Sequence, residues 1–230
     1  MYIMTMKTAF KVCVTLSQYM LKLLILLLTL PSFAPAQEAK RPGTCTYEVY
    51  NWNIHKKGAV NFAKVERPYA ELKAEEKDPS TGCTVCLEDQ ELVKVGELPP
   101  FYACRKVSGT LRAVLEKLIA RGEPVLEVTA YRPGRTKNPL DKEGNRRGFS
   151  NHAYGAAVDI NRSKNGLYEN CGSFVPGCRL IQGGPWKPGV RGTLTRDSVI
   201  VKEMKAAGFK WGGEIEGLQK DFMHFSLEGY

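Results

Sequence analysis

Apolar residues Val107, Leu111, Val114, Leu115, Leu118 and Ile119 recur at three- and four-residue spacing, and Arg121-Gly122 ends the run. That period predicts an amphipathic helix with one buried face. Residues 125–131 alternate as a strand does, and residues 154–160 read as a second strand. Residues 132–149, rich in Gly, Pro, Asn and Arg, read as a long polar loop between them, and a further loop carries Cys171 and Cys178. Residues 197–207 place Val199, Met204 and Ala207 on one helical face, with Asp197 or Ser198 as N-cap and Gly208 as the stop. Residues 224–227 read as a short strand near the C-terminus. This order predicts an α+β fold, a small antiparallel sheet with flanking helices.

Residues 37–98 carry a different pattern: strand-like pieces such as 47–54, Lys- and Glu-rich connections, and a Pro-Ser-Thr-Gly turn before Cys83. Such a segment is too short to bury a good core unaided. The expectation is a disulfide-tethered N-terminal extension packed on a main domain at residues 99–230. Residues 1–36 read as a secretory signal peptide, in which Lys7, Lys11 and Lys22 precede the apolar run 23–30 and Ala34-Pro35-Ala36 forms a small-x-small cleavage site. Met6 and Met20 stand as alternative starts. The apolar run is far shorter than the roughly 20 residues that span a bilayer, so no stable membrane insertion is expected after cleavage before Gln37. The expected location is secreted or periplasmic.

Cysteine usage fits an oxidising compartment. Beyond Cys13, the chain has Cys45, Cys83, Cys86, Cys104, Cys171 and Cys178, an even set that predicts three disulfides. Cys171 with Cys178, closing a short loop, is the first pairing to expect; the others stay open. Cys83 and Cys86 have the spacing of a redox pair or half a zinc site, but a turn precedes them and no second close pair exists, which favours structural bridging.

Composition is that of an ordinary globular protein, 43% hydrophobic and 25% charged over 230 residues. The formal net charge is +9, and three of those cations lie in the expected signal, where no acid occurs. The rest is moderately basic, without the arm of like charges that nucleic-acid binding would use. A basic surface suits an anionic polymer.

The chain has three histidines, and two stand in informative surroundings: Ser150-Asn151-His152-Ala153-Tyr154-Gly155-Ala156-Ala157-Val158-Asp159 and Asp221-Phe222-Met223-His224-Phe225. Two imidazoles and one carboxylate form a three-ligand set for Zn²⁺ that leaves a fourth position for water, the arrangement of catalytic zinc. For His152 and Asp159 to meet, the chain must bend near Gly155, where glycine removes the steric barrier. Asp221, three residues before His224, can stand beside the metal as a general base. His55 reads as an exposed loop residue. Taken singly, these side chains read as core histidines, a cap and a solvated turn; taken together they favour a metal site.

These motifs, with Lys210-Trp211-Gly212-Gly213 between them, resemble the signatures of the D-alanyl-D-alanine carboxypeptidase family of zinc peptidases, which includes D,D-dipeptidases and L-alanyl-D-glutamate endopeptidases. The resemblance runs from about Tyr102 to the C-terminus and implies a hedgehog-like peptidase fold. It implies zinc held by His152, Asp159 and His224, with Asp221 as general base. Thr129-Ala130-Tyr131-Arg132 matches the arginine context of the family, which implies that Arg132 contacts substrate and the developing oxyanion. Ser150 belongs to the motif and is implied either to support the ligands from behind or to contact substrate, and Trp211 is read either as a core residue or as a substrate floor. The implied substrate is a peptidoglycan stem peptide, and the enzyme is expected to be a monomer. An aspartate at position 221, where dipeptidases often carry glutamate, resembles the endopeptidases and leaves the subclass open. A non-catalytic zinc-containing cell-wall binding module of the hedgehog type is the alternative, and a disulfide-stabilised domain without metal is a third.

Overall fold

A computed structural model describes residues 43–229; the expected signal, its cleavage site and Cys13 lie outside the described residues. Helix α1 spans Arg105–Ala120 and buries Val107, Leu111, Val114, Leu115 and Leu118. It stops where expected, with Gly122 in the left-handed region. Gly122 N–H donates to the Ile119 carbonyl and Glu123 N–H to the Leu118 carbonyl, the paired bonds of a Schellman cap. Helix α2, Val199–Ala206, follows N-cap Ser198 and buries Ile200, Val201 and Met204. It ends the same way, at Gly208, with Phe209 N–H bonding the Met204 carbonyl. The two helices pack on a four-stranded antiparallel sheet ordered Lys210–Trp211, His224–Ser226, Ala157–Ile160, Val128–Thr129. Val158, Ile160 and Phe225 point from it into the main core and are fully buried. The α+β expectation with small sheets therefore holds.

Three expectations change in detail. The strand expected over 125–131 shrinks to Val128–Thr129, and that over 154–160 to Ala157–Ile160, because residues 151–154 form a 3-10 turn that ends at left-handed Gly155. The expected polar loop 132–149 contains two strands, Gly134–Leu140 and Arg146–Phe149. They carry little apolar alternation because backbone pairing, not a buried face, holds them; Gly134–Leu140 runs parallel to Thr44–Asn53, with Tyr50 opposite Gly134. The strand-like piece expected over 47–54 is the first arm, Thr44–Asn53, of a long hairpin whose second arm is Gly58–Pro68. These strands form a mixed four-stranded sheet.

The disulfides are Cys45–Cys86, Cys83–Cys104 and Cys171–Cys178. Cys83 and Cys86 thus bridge to different partners, which removes the redox-pair reading. A second, smaller core of Cys45, Tyr47, Val85, Cys86, Phe149 and Ala153 lies under the hairpin. Tyr131 donates its hydroxyl to the Val85 carbonyl at 2.7 Å, Tyr154 to the Glu75 carbonyl at 2.8 Å, and Arg135 pairs with Glu75 at 2.8 Å. Residues before position 99 thereby buttress the turn that carries His152. Among the described residues, no helix is long and apolar enough to cross a membrane.

Candidate metal centre

Strand register brings two of the expected ligands together. Asp159 on Ala157–Ile160 stands directly opposite His224 on His224–Ser226. Directly opposed residues of an antiparallel pair share a face, so both side chains leave the sheet on the side away from Val158 and Phe225. His152 arrives from the 3-10 turn Asn151–Tyr154, and the chain then reverses at Gly155, φ 65°. A Cβ at Gly155 would fall 2.1 Å from Gln90 Oε1 and 2.5 Å from the Cys104 nitrogen, so this approach requires glycine.

The donor atoms converge. His152 Nε2 is 3.0 Å from Asp159 Oδ1 and 3.1 Å from His224 Nδ1, and His224 Nδ1 is 3.3 Å from the same carboxylate oxygen. All three residues are buried. Ligands at about 2.0–2.2 Å in a tetrahedral zinc site lie about 3.3 Å apart, close to this triangle. The His152 Nδ1–H donates to the Ala130 carbonyl at 2.8 Å, which directs the Nε2 lone pair inward. Three lone-pair donors facing one another in a buried site repel unless a cation or a proton lies between them. The residues therefore fit a bound Zn²⁺. A second grouping, Cys45, Cys86 and Glu88, is no metal site, since both sulfurs are used in a disulfide.

The charges around the triangle are arranged to keep it a donor set. Burial by itself raises the Asp159 pKa, but His152, His224 and Arg132 outweigh it and hold the carboxyl well below its usual range. Burial holds His224 below the ordinary imidazole value, with Asp159 opposing. Arg132 Nη2 donates to Asp159 Oδ2 at 2.8 Å, on the carboxylate oxygen that the histidines leave free. The family resemblance implies a substrate contact for Arg132; what the structure shows is this ion pair, with the side chain 32% exposed.

Asp221 closes the strand Lys220–Asp221, is buried, and contributes to the field at His224. The Phe222-Met223 link between them is pinned at both carbonyls, that of Phe222 by the Trp211 indole N–H at 2.8 Å and that of Met223 by the Ile160 N–H at 2.9 Å. The Phe222 ring stacks on Trp186 at 4.2 Å. Trp211 is 5% exposed and belongs to the core. Its indole N–H is spent on the Phe222 carbonyl, so it holds the link between Asp221 and His224. Ser150 is the N-cap of the His152 turn, and its buried hydroxyl oxygen has no hydrogen-bond partner among the described residues. His55 is exposed, as expected.

Residues 143–227 match the family model described as D-alanyl-D-alanine carboxypeptidase. That segment, a little over a third of the chain, is similar to the D-alanyl-D-alanine carboxypeptidase family. The family match includes Ser150, His152, Asp159, Asp221 and His224; Arg132 and the N-terminal hairpin lie outside it. No solved structure matches the chain.

Proposed function

We propose that this chain is an exported zinc-dependent peptidase that hydrolyses peptidoglycan stem peptides, of the D-Ala-D-Ala carboxypeptidase or the L-Ala-D-Glu endopeptidase type, on a hedgehog-like fold. The observation that carries the reading is the buried triangle of His152 Nε2, Asp159 Oδ1 and His224 Nδ1, with sides of 3.0–3.3 Å and Asp221 beside it. Zinc held there would polarise a peptide carbonyl and acidify a water molecule.

The chain's own residues supply the rest. His152 and Asp159 are fixed from behind, by the Ala130 carbonyl and by Arg132. Asp221, set by the pinned Phe222-Met223 link, accepts a proton on a carboxylate oxygen as water attacks the scissile carbonyl. It returns that proton to the departing amine nitrogen, which completes the hydrolysis. Arg132 directs its remaining N–H groups at the carbonyl oxygen as charge develops there. The Ser150 hydroxyl contacts the bound peptide. Three disulfides suit secretion or the periplasm, and the basic surface concentrates an anionic wall polymer. The protein acts as a monomer.

Mass spectrometry of stem-peptide digests, with and without a chelator, tests this reading. Products that name one bond and vanish with the chelator are expected. Stoichiometric zinc with no cleavage would replace it by the non-catalytic binding module, a reading that the Arg132–Asp159 pair also accommodates, since it gives the arginine a structural task.

A further inference from the structure

Asp221 belongs to a further small antiparallel sheet, three strands in the order Arg179–Gln182, Leu167–Glu169, Lys220–Asp221. Asp221 stands directly opposite Leu167, and Leu167 directly opposite Gln182. Directly opposed residues share a face, so these three side chains form one row across the sheet. Tyr168, on the other face, is buried in the main core, while Leu167 and Gln182 are half-exposed on the face that carries Asp221. Regular pairing beyond Leu180 and Tyr168 would put Ile181 opposite Leu167; a bulge adds one residue there and brings the amide of Gln182 into the row instead. The segment just past Gln182 is held, because Gly184 N–H donates to the Arg162 carbonyl at 2.9 Å and a Cβ at Gly184 would overlap the Ser163 carbonyl. Arg162 and Ser163 lie just past the strand that carries Asp159, which ties the row to the support of the metal centre.

We propose that Leu167 and Gln182 contact the substrate and continue the active-site floor from Asp221, so that the site takes an extended stem peptide rather than a free dipeptide. The proposal rests on the peptidase reading with Asp221 as the base. Neighbouring strands lie about 4.8 Å apart, so two steps put Gln182 about 10 Å along the row from Asp221, the reach of about three extended residues. Leu167 offers an apolar seat for an alanine methyl one step from the base. The Gln182 amide both donates and accepts, as the peptide group of a residue further along requires. A dipeptide ends before Gln182 and leaves that contact unmade. Nothing in the local sequence signals the pairing of these residues; the strand register and the bulge at Ile181 place them in one row with Asp221.

Gln182→Ala and Leu167→Ala test this on stem-peptide fragments of graded length, since both positions are half-exposed and the changes leave the backbone pairing in place. Expected for Gln182→Ala are an unchanged melting temperature and zinc content, and a fall in kcat/KM on the longest fragment of about 3- to 10-fold, the size of one hydrogen bond. The loss should appear in KM, with kcat within about twofold, as for weakened ground-state binding. On fragments too short to reach Gln182 the variant should equal wild type, while Leu167→Ala should weaken long and short fragments alike. Where only the longest fragment is cleaved, equilibrium binding of the shorter ones supplies the comparison. Wild-type KM for the longest fragment in both variants, an equal loss on long and short fragments in Gln182→Ala, or wild-type protein that turns over a free dipeptide as well as the longest fragment would overturn the proposal while the peptidase reading stands. Wild-type protein that neither binds nor cleaves stem peptides would overturn both.

Discussion

Asp159 divides its two carboxylate oxygens between opposite tasks: Oδ2 meets Arg132 Nη2 at 2.8 Å, while Oδ1 faces His152 and His224 at 3.0 and 3.3 Å. One oxygen anchors a cation of the protein and the other is offered to a metal. Removing the charge therefore harms both. Asp159→Asn should cost about 2–3 kcal/mol, somewhat less than a fully buried pair because Arg132 keeps a third of its exposure. Zinc content should fall together with stability. Thermal denaturation with metal analysis checks this, and a variant that binds stoichiometric zinc would remove Asp159 from the donor set.

His224→Ala separates the metal from the ion pair, because Arg132 and Asp159 stay intact. The variant should lose zinc. Wild-type stability should rise with added zinc by about 2.7 kcal/mol when free metal is a hundredfold above the dissociation constant. The variant should show no such rise in a melting titration.

Asp221→Ala should leave zinc bound and lower turnover by a factor on the order of 10²–10⁴, the usual contribution of a general base. Parallel assays of metal content and hydrolysis decide it. Full activity, or loss of metal along with activity, counts against the proposed proton transfer.

Gly155→Ala tests whether the reversal after His152 requires glycine. The new methyl would meet Gln90 Oε1 and the Cys104 nitrogen on a left-handed backbone, so a loss above about 2 kcal/mol is expected, with weakened zinc binding as the His152 turn shifts. Gly122→Ala is the control: it is also left-handed, but a Cβ there meets nothing within 4 Å. It should cost only about 1 kcal/mol. Equal losses at both positions in urea denaturation would show that close packing at Gly155 is unimportant.

The pair Glu75–Arg135 gives a pH signature. The hydrogen bond from Arg135 is the leading cause that holds the Glu75 carboxyl below its ordinary value. A carboxyl lowered in the folded state stabilises above the unfolded pKa, and that stabilisation disappears as pH falls through the folded one. Glu75 is largely exposed, so the contribution should be at most about 0.5–1 kcal/mol. Glu75→Gln should thus cost that much at neutral pH and nothing in strong acid. A cost that persists in acid would assign the effect to packing.

Much of this protein is written locally. The three- and four-residue spacing of Val107, Leu111, Leu115 and Leu118 determines α1, and the glycines at 122 and 208 end both helices, because periodicity and left-handed backbone are properties of short segments. The histidine motifs name the metal candidates, and the short spacing of Cys171 and Cys178 anticipates their bond. Other features exist only after the chain has folded. The polar strand Gly134–Leu140 has no hydrophobic rhythm to betray it, since backbone pairing with Arg146–Phe149 and with the distant Tyr50 and Asn51 holds it. The Asp159–Arg132 pair and the burial of Trp211 against the Phe222 carbonyl depend likewise on strand order and register. Short-range sequence sets which residues carry chemistry; long-range pairing sets which of them meet.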